Sequence, residues 1–97
     1  MLRIWGKIMA GGKIRESFTG EDAHSEWPLE ERIYACEEQI SRHFDLARPI
    51  WLAKNRQHLK NFGSTRFDQD NFIETIGFQY LELEIVGTDH DDEGSRP

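Results

Sequence analysis

The stretch LRIWGKIMAGGKIRESF, residues 2–18, decides the fold because it predicts a β-hairpin near the start of the sequence. Two alternating runs flank Gly11 and Gly12, a dipeptide suited to a type I′ turn, in which both central residues take positive φ. The register predicted from a two-residue loop places three pairs on one side of the sheet: Met9 with Ile14, Lys7 with Glu16, and Trp5 with Phe18.

Further along the chain, apolar residues spaced four, three, four and four apart predict an amphipathic helix. They are Leu29, Ile33, Cys36, Ile40 and Phe44. A second helix should open at Pro49 and end at Gly63, a residue typical of helix C-termini. Thr65 or Asp68 should cap a short third helical turn that runs to Phe72.

The strongest strand pattern runs from Phe78 to Val86, where apolar Leu81, Leu83 and Ile85 alternate with acidic residues. The predicted fold class is therefore α+β, with an N-terminal β-hairpin, two to three helices and a C-terminal strand. We expect a three-stranded antiparallel sheet with the helices on one face, and we place the last strand beside the first.

Length and composition limit the class of protein. Ninety-seven residues suffice for one domain, which we expect to span residues 1–87, followed by a disordered acidic tail over 88–97. The lone cysteine, Cys36, excludes an internal disulfide framework. The sequence has no transmembrane run and no signal-peptide pattern, so the predicted location is cytoplasmic, without a membrane partner. A net charge of −6 argues against generic nucleic-acid binding.

The charges are segregated along the chain. No acidic residue occurs between Leu46 and Phe67, and the stretch carries five cations: Arg48, Lys54, Arg56, Lys60 and Arg66. These five residues are candidates for binding an anion or a nucleic acid. A helical projection places the cations on different sides of the second helix and turns Trp51 inward. Because residues 21 to 45 carry eight acidic residues against two arginines, we expect the charges to pair mainly within the fold.

No motif in the sequence predicts catalysis, a metal or a cofactor. Cys36 lies on the apolar stripe of the first helix, where a buried thiol acts as a small hydrophobe. The four histidines lack metal-ligand spacing, and Gly11-Gly12 closes a hairpin instead of opening a nucleotide-binding helix. A hydrolase or nuclease built from His58, Asp68, Asp70 and Glu74 is a further alternative with no recognised spacing.

The most informative predicted surface is the sheet face opposite the helices. It should carry several large apolar side chains, and a small protein with such a face is expected to find a partner. The interface candidates are Trp5, Met9, Phe18, Phe78 and Tyr80. The leading hypothesis is therefore a non-enzymatic domain that acts through protein–protein contacts and self-associates as a homodimer.

Several blocks of the sequence resemble a small family of uncharacterised bacterial proteins of about this length. The blocks are residues 48–55 (RPIWLAKN), 66–67 (RF), 70–74 (DNFIE) and 80–84 (YLELE). The resemblance spans most of the chain outside its last ten residues. It implies a bacterial origin and a single domain, and it implies no activity, cofactor or binding residue.

Overall fold

The computed structural model describes residues 1–88. Within them, a four-stranded antiparallel sheet carries two helices. The strands are β1 (Leu2–Ala10), β2 (Lys13–Asp22), β3 (Ser64–Phe67) and β4 (Tyr80–Gly87), the helices are α1 (Leu29–His43) and α2 (Ala53–Phe62), and a 3-10 turn spans Gln69–Asn71. The sheet order is β2-β1-β4-β3, so the last strand does lie beside the first. The α+β class is confirmed, but the prediction of three strands was one too few.

The hairpin has the predicted turn but only part of the predicted register. Gly11 and Gly12 take φ values of 61° and 75°, as a type I′ turn requires. Met9 pairs with Ile14 as expected, but a bulge at Arg15 shifts every later pair by one residue. Lys7 therefore pairs with Ser17, and Phe18 pairs with Gly6 and lies on the other side of the sheet from Trp5. The predicted pairs of Lys7 with Glu16 and of Trp5 with Phe18 were wrong.

Two glycines let α1 lie directly on the hairpin. A Cβ atom at Gly20 would be 2.6 Å from the carbonyl oxygen of Cys36, and one at Gly6 would be 2.5 Å from Cγ2 of Ile40. Cys36 and Ile40 are fully buried at this contact. Burial raises the pKa of the Cys36 thiol to about 12, so the side chain acts as a packed hydrophobe and has little thiolate character.

The strand that the sequence did not predict, β3, follows α2 directly. Gly63 ends α2 in the left-handed conformation, with φ 71°, and β3 then pairs with β4 through four residues. Thr65 lies in this strand, so the cap of the short turn is Asp68, which accepts a hydrogen bond from the backbone N–H of Asp70 at 3.0 Å. Four residues are too few for alternation to indicate a strand.

Both helices pack on the sheet face that carries the apolar residues of β1 and β4. α1 contacts β1 and β2, and α2 contacts β3. The buried core comprises Leu2, Ile4, Ile8, Ile33, Cys36, Ile40, Leu59, Phe67, Phe72, Leu81 and Leu83. The predicted acidic tail lies outside the described residues apart from Thr88.

Candidate functional site

A groove lies between α1 and α2, because the two helices pack on different strands of the sheet. Its volume is about 600 Å³. α1 contributes one wall and α2 the other, while Ile85 of β4 contributes to the floor. The residues that line the groove are Leu29, Glu30, Ile33, Tyr34, Trp51, Arg56, Leu59, Lys60, Gly63 and Ile85. Most of this lining is apolar, and the charged groups belong to three residues only.

The orientation of Trp51 in this groove is fixed by a buried carboxylate. Glu37 is fully buried on α1, and its Oε1 accepts hydrogen bonds from Trp51 Nε1 and Arg48 Nη2, each at 3.1 Å. Its Oε2 accepts one from the Ser41 hydroxyl at 2.8 Å. These donors compensate the burial of the charge. The sequence predicted that Trp51 turns inward, and the indole is half-buried in the groove wall.

The position of α2 is fixed by a second buried polar group, Asn55. Its side-chain amide donates to Thr65 Oγ1 and to the carbonyl oxygen of Arg66, both at 2.9 Å. Its Oδ1 accepts from Asn71 Nδ2 at 2.8 Å and from the backbone N–H of Leu52 at 3.0 Å. Asn55 and Asn71 are fully buried, so these hydrogen bonds attach the start of α2 to β3 and set the far wall of the groove.

The two cations that line the groove differ in their partners. Arg56 Nε donates to the Tyr34 hydroxyl at 3.3 Å and lies 3.6 Å from Glu30 Oε1, and this hydrogen bond to Tyr34 is the main cause that raises the pKa of Arg56. Tyr34 in turn donates to Glu30 at 2.6 Å. No ion pair joins Lys60 to any other residue within the range 1–88. One cation is therefore neutralised inside the fold and the other is open to a ligand.

The predicted anion-binding residues are divided in the same way. Arg48 pairs with Glu37 at 3.1 Å and Arg66 with Glu82 at 3.6 Å, while Arg56 pairs with Glu30 as described. The hydrogen bonds of Arg48 to Glu37 raise the pKa of its guanidinium. Lys54 and Lys60 have no such partner in the described part of the chain. The acid-free segment is thus largely matched by acids of the same fold, as the charge pattern predicted.

Three of the five predicted interface residues lie on the open sheet face. Trp5, Met9 and Tyr80 point away from the helices. The placement of Phe18 and Phe78 on this face was wrong. Phe18 lies on the helix-covered face, because the bulge in β2 reverses the side to which it points, and it stacks on His43 at 4.0 Å. Phe78 precedes β4 and packs edge-on against Phe72.

The open face also carries charged side chains beside its aromatic rings. Lys7 Nζ lies 2.8 Å from Glu84, 3.5 Å from Glu82 and 4.1 Å from the centre of the Trp5 ring. Burial lowers the pKa of Lys7, but the hydrogen bond to Glu84 and the charge of Glu82 raise it above its usual value. The Arg66 guanidinium similarly lies 4.6 Å from the Tyr80 ring. Both aromatic rings therefore already have cations as partners.

One polar cluster was not predicted from the sequence. Asp22, at the end of β2, is buried and accepts hydrogen bonds from Arg32 Nε at 2.8 Å and from the backbone N–H of His24 at 3.0 Å. Its Oδ1 lies 2.8 Å from His24 Nδ1, and the His24 ring stacks on Trp27 at 3.7 Å. The Asp-x-His spacing was the available signal. The cluster joins β2 to α1, and Cys36, the one thiol of the chain, is buried and weakly acidic.

The residues of the hydrolase alternative have separate structural roles. Asp68 caps the 3-10 turn, Glu74 accepts a hydrogen bond from the backbone N–H of Ala47 at 3.2 Å, and His58 contacts Phe62. Among residues 1–88, no group of three His, Cys, Asp or Glu side chains could hold a metal ion. These observations give that alternative no support.

Comparisons with known proteins identify no function for this chain. No protein-family model, curated protein or solved structure matches this chain, so the bacterial family remains a resemblance carried by the quoted blocks alone. In the described part of the chain, neither helix has the length and apolar composition needed to cross a membrane.

Proposed function

We propose that this protein is a small-molecule binding domain whose ligand lies in the groove between α1 and α2. The observation that carries the proposal is the groove itself, with a volume of about 600 Å³, walls that include Ile33, Leu59 and Trp51, and Ile85 in its floor. Ligand sites in proteins are typically concave, mostly apolar and roughly 300–1,000 Å³ in volume. The hydrophobic effect would act mainly through Leu29, which is 55% exposed, and through the half-buried Trp51 and Ile85, because a ligand would remove these side chains from water.

The walls of the groove are held by interactions that a ligand does not need to create. Glu37 fixes Trp51 on one side, and Asn55 fixes α2 on the other. Since these hydrogen bonds join protein groups to one another, little conformational entropy would be lost on binding. This rigidity supports a binding site for a small molecule of defined shape more than an adaptable surface for many partners.

The test uses decanol, an uncharged apolar probe, and two matched tryptophan substitutions. Ile85 lines the groove, and Val86, the next residue in β4, is 48% exposed. We expect decanol to shift the amide resonances of Tyr34, Leu59 and Ile85 in a heteronuclear NMR titration. Ile85→Trp should abolish these shifts by filling the groove, whereas Val86→Trp should retain them. Shifts confined to the open sheet face, or an equal response of both variants, would refute the proposal.

Self-association through the open sheet face is the second candidate function. The observation that favours it is that both helices lie on the opposite face, while Ile14 is 48% exposed and pairs with Met9, on the same face as Trp5 and Tyr80. Size-exclusion chromatography with light scattering should then give a mass above 11.4 kDa, and Trp5→Glu should return it to the monomer. A monomeric wild-type protein at high concentration would exclude this candidate.

A further inference from the structure

We propose that the ligand of the groove is an amphipathic monoanion, with its apolar body against the groove walls and its negative group at Lys60. This inference rests on the proposed function and names the ligand class that the groove selects. Its basis is the difference between the three charged side chains that line the groove: Glu30, Arg56 and Lys60.

Glu30 and Arg56 neutralise each other and leave no net charge for a ligand. Arg56 lies 3.6 Å from Glu30 and also donates to Tyr34, which donates to Glu30. An anionic group placed beside this triad would compete with an existing carboxylate for the same guanidinium. The negative end of a ligand is therefore disfavoured at this point of the groove.

Lys60 lies one turn further along α2, and its ammonium group is the remaining charge of the groove. No acidic side chain among residues 1–88 forms an ion pair with it, and its three N–H donors can be shared with an oxyanion. The protein as a whole carries a net charge of −6, so binding of an anion requires a local cation of this kind. A single available cation fits a single negative group, such as a carboxylate or a sulfate monoester.

The groove also explains why Lys60 differs from the other exposed lysine of α2. Lys54 is exposed and unpaired in the described residues as well, but it does not line the groove. A long-range attraction of anions to the basic segment would involve both lysines equally. Recognition of a ligand in the groove would involve Lys60 alone. The two lysines therefore make a matched pair for the experiment.

The experiment compares decanoate with decanol, two probes of equal chain length, in the wild-type full chain and in Lys60→Gln and Lys54→Gln. At low salt we expect the wild type to bind decanoate about two- to fivefold more tightly than decanol, the upper part of the range for an exposed ion pair. Lys60→Gln should lose the preference for decanoate, and Lys54→Gln should keep it. The preference should also shrink in 0.5 M salt, because the ammonium is exposed.

The possible outcomes distinguish a wrong ligand class from the absence of a binding site. Equal binding of the two probes by the wild type, or a preference that survives in Lys60→Gln, would overturn the inference, while binding of decanol would still support the groove. A preference lost equally in both lysine variants would also overturn it, since the attraction would then be unspecific. If decanol itself does not bind, the proposed function fails first. Both substituted lysines are exposed, so thermal unfolding of the two variants should match that of the wild type.

Discussion

Replacement of Glu37 by leucine should destabilise the fold and loosen the groove together. The substitution removes the acceptor of Trp51 Nε1 and of the Ser41 hydroxyl, which is 1% exposed. A buried donor left without an acceptor costs about 1–3 kcal/mol, so the two donors cost roughly 2–6 kcal/mol together. The Arg48 side chain is half exposed, and loss of its pair adds at most about 1 kcal/mol.

The apolar leucine side chain offsets part of this cost, by about 1.5–3 kcal/mol when fully buried. Near the middle of these ranges, the expected net loss is roughly 2 kcal/mol of unfolding free energy. With an m-value of about 2 kcal/mol/M, the urea midpoint should fall by roughly 1 M. Trp51 should also lose its fixed orientation, so decanol should bind more weakly under native conditions than it does to the wild type.

The matched control is Glu38→Gln, at the neighbouring and partly exposed position on α1. Glu38 pairs with Arg42 at 2.8 Å on the helix surface and lies 3.9 Å from Arg48, so its loss should cost less than about 0.5 kcal/mol. A Glu37→Leu variant with a urea midpoint equal to that of the wild type would refute this reasoning. So would a control variant that loses as much stability as Glu37→Leu.

Three further perturbations test the packing of α1 on the sheet. Gly20→Ala should lower stability by about 1–3 kcal/mol through overpacking against the Cys36 backbone, whereas Gly77→Ala, with open space around it, should be neutral in the same urea titration. Cys36 should react with a thiol reagent only on unfolding, since burial raises its pKa to about 12; rapid native labelling would contradict this. Burial alone would raise the pKa of Asp22, but hydrogen bonds from His24 and Arg32 lower it. The contribution of Asp22 to the free energy of unfolding is thus present above the unfolded pKa of about 3.9 and is lost as the pH falls through the lower folded pKa. Asp22→Asn should therefore flatten the acidic part of a plot of the urea midpoint against pH.

The elements that were predicted correctly depend on local sequence. Gly11-Gly12 determines its turn because positive φ is costly for other residues, and the spacing of Ile33, Cys36 and Ile40 is a property of one helix. The errors involve the relation between two segments. A bulge adds one residue to β2 and none to β1. The alternating pattern within β2 does not show where this extra residue lies. Phe18 was assigned to the wrong face for this reason.

The candidate site was less predictable than the fold because it is formed by the space between elements. Lys60 and Arg56 were recognised as cations, but their different partners depend on where Glu30 and Tyr34 lie on the facing helix. Glu37 reads as an ordinary residue of an acidic helix, and only the structure shows that its carboxylate is buried beneath Trp51. The sequence of either helix alone does not indicate that a groove lies between them.

The segregation of charge along the chain has a structural consequence that links the fold to the proposed site. Two helices with fully apolar facing sides would close to an interaxial distance of about 8–10 Å and leave no groove. Here the facing sides carry the Glu30–Tyr34–Arg56 triad and the indole of Trp51, which is held by Glu37. Polar groups paired at the rim stay near water, and Trp51 and Ile85 between the helices remain half-buried. The basic segment that first suggested a nucleic-acid surface therefore pairs largely with acidic residues of the same fold, and the groove that we propose as a ligand site lies between the two helices.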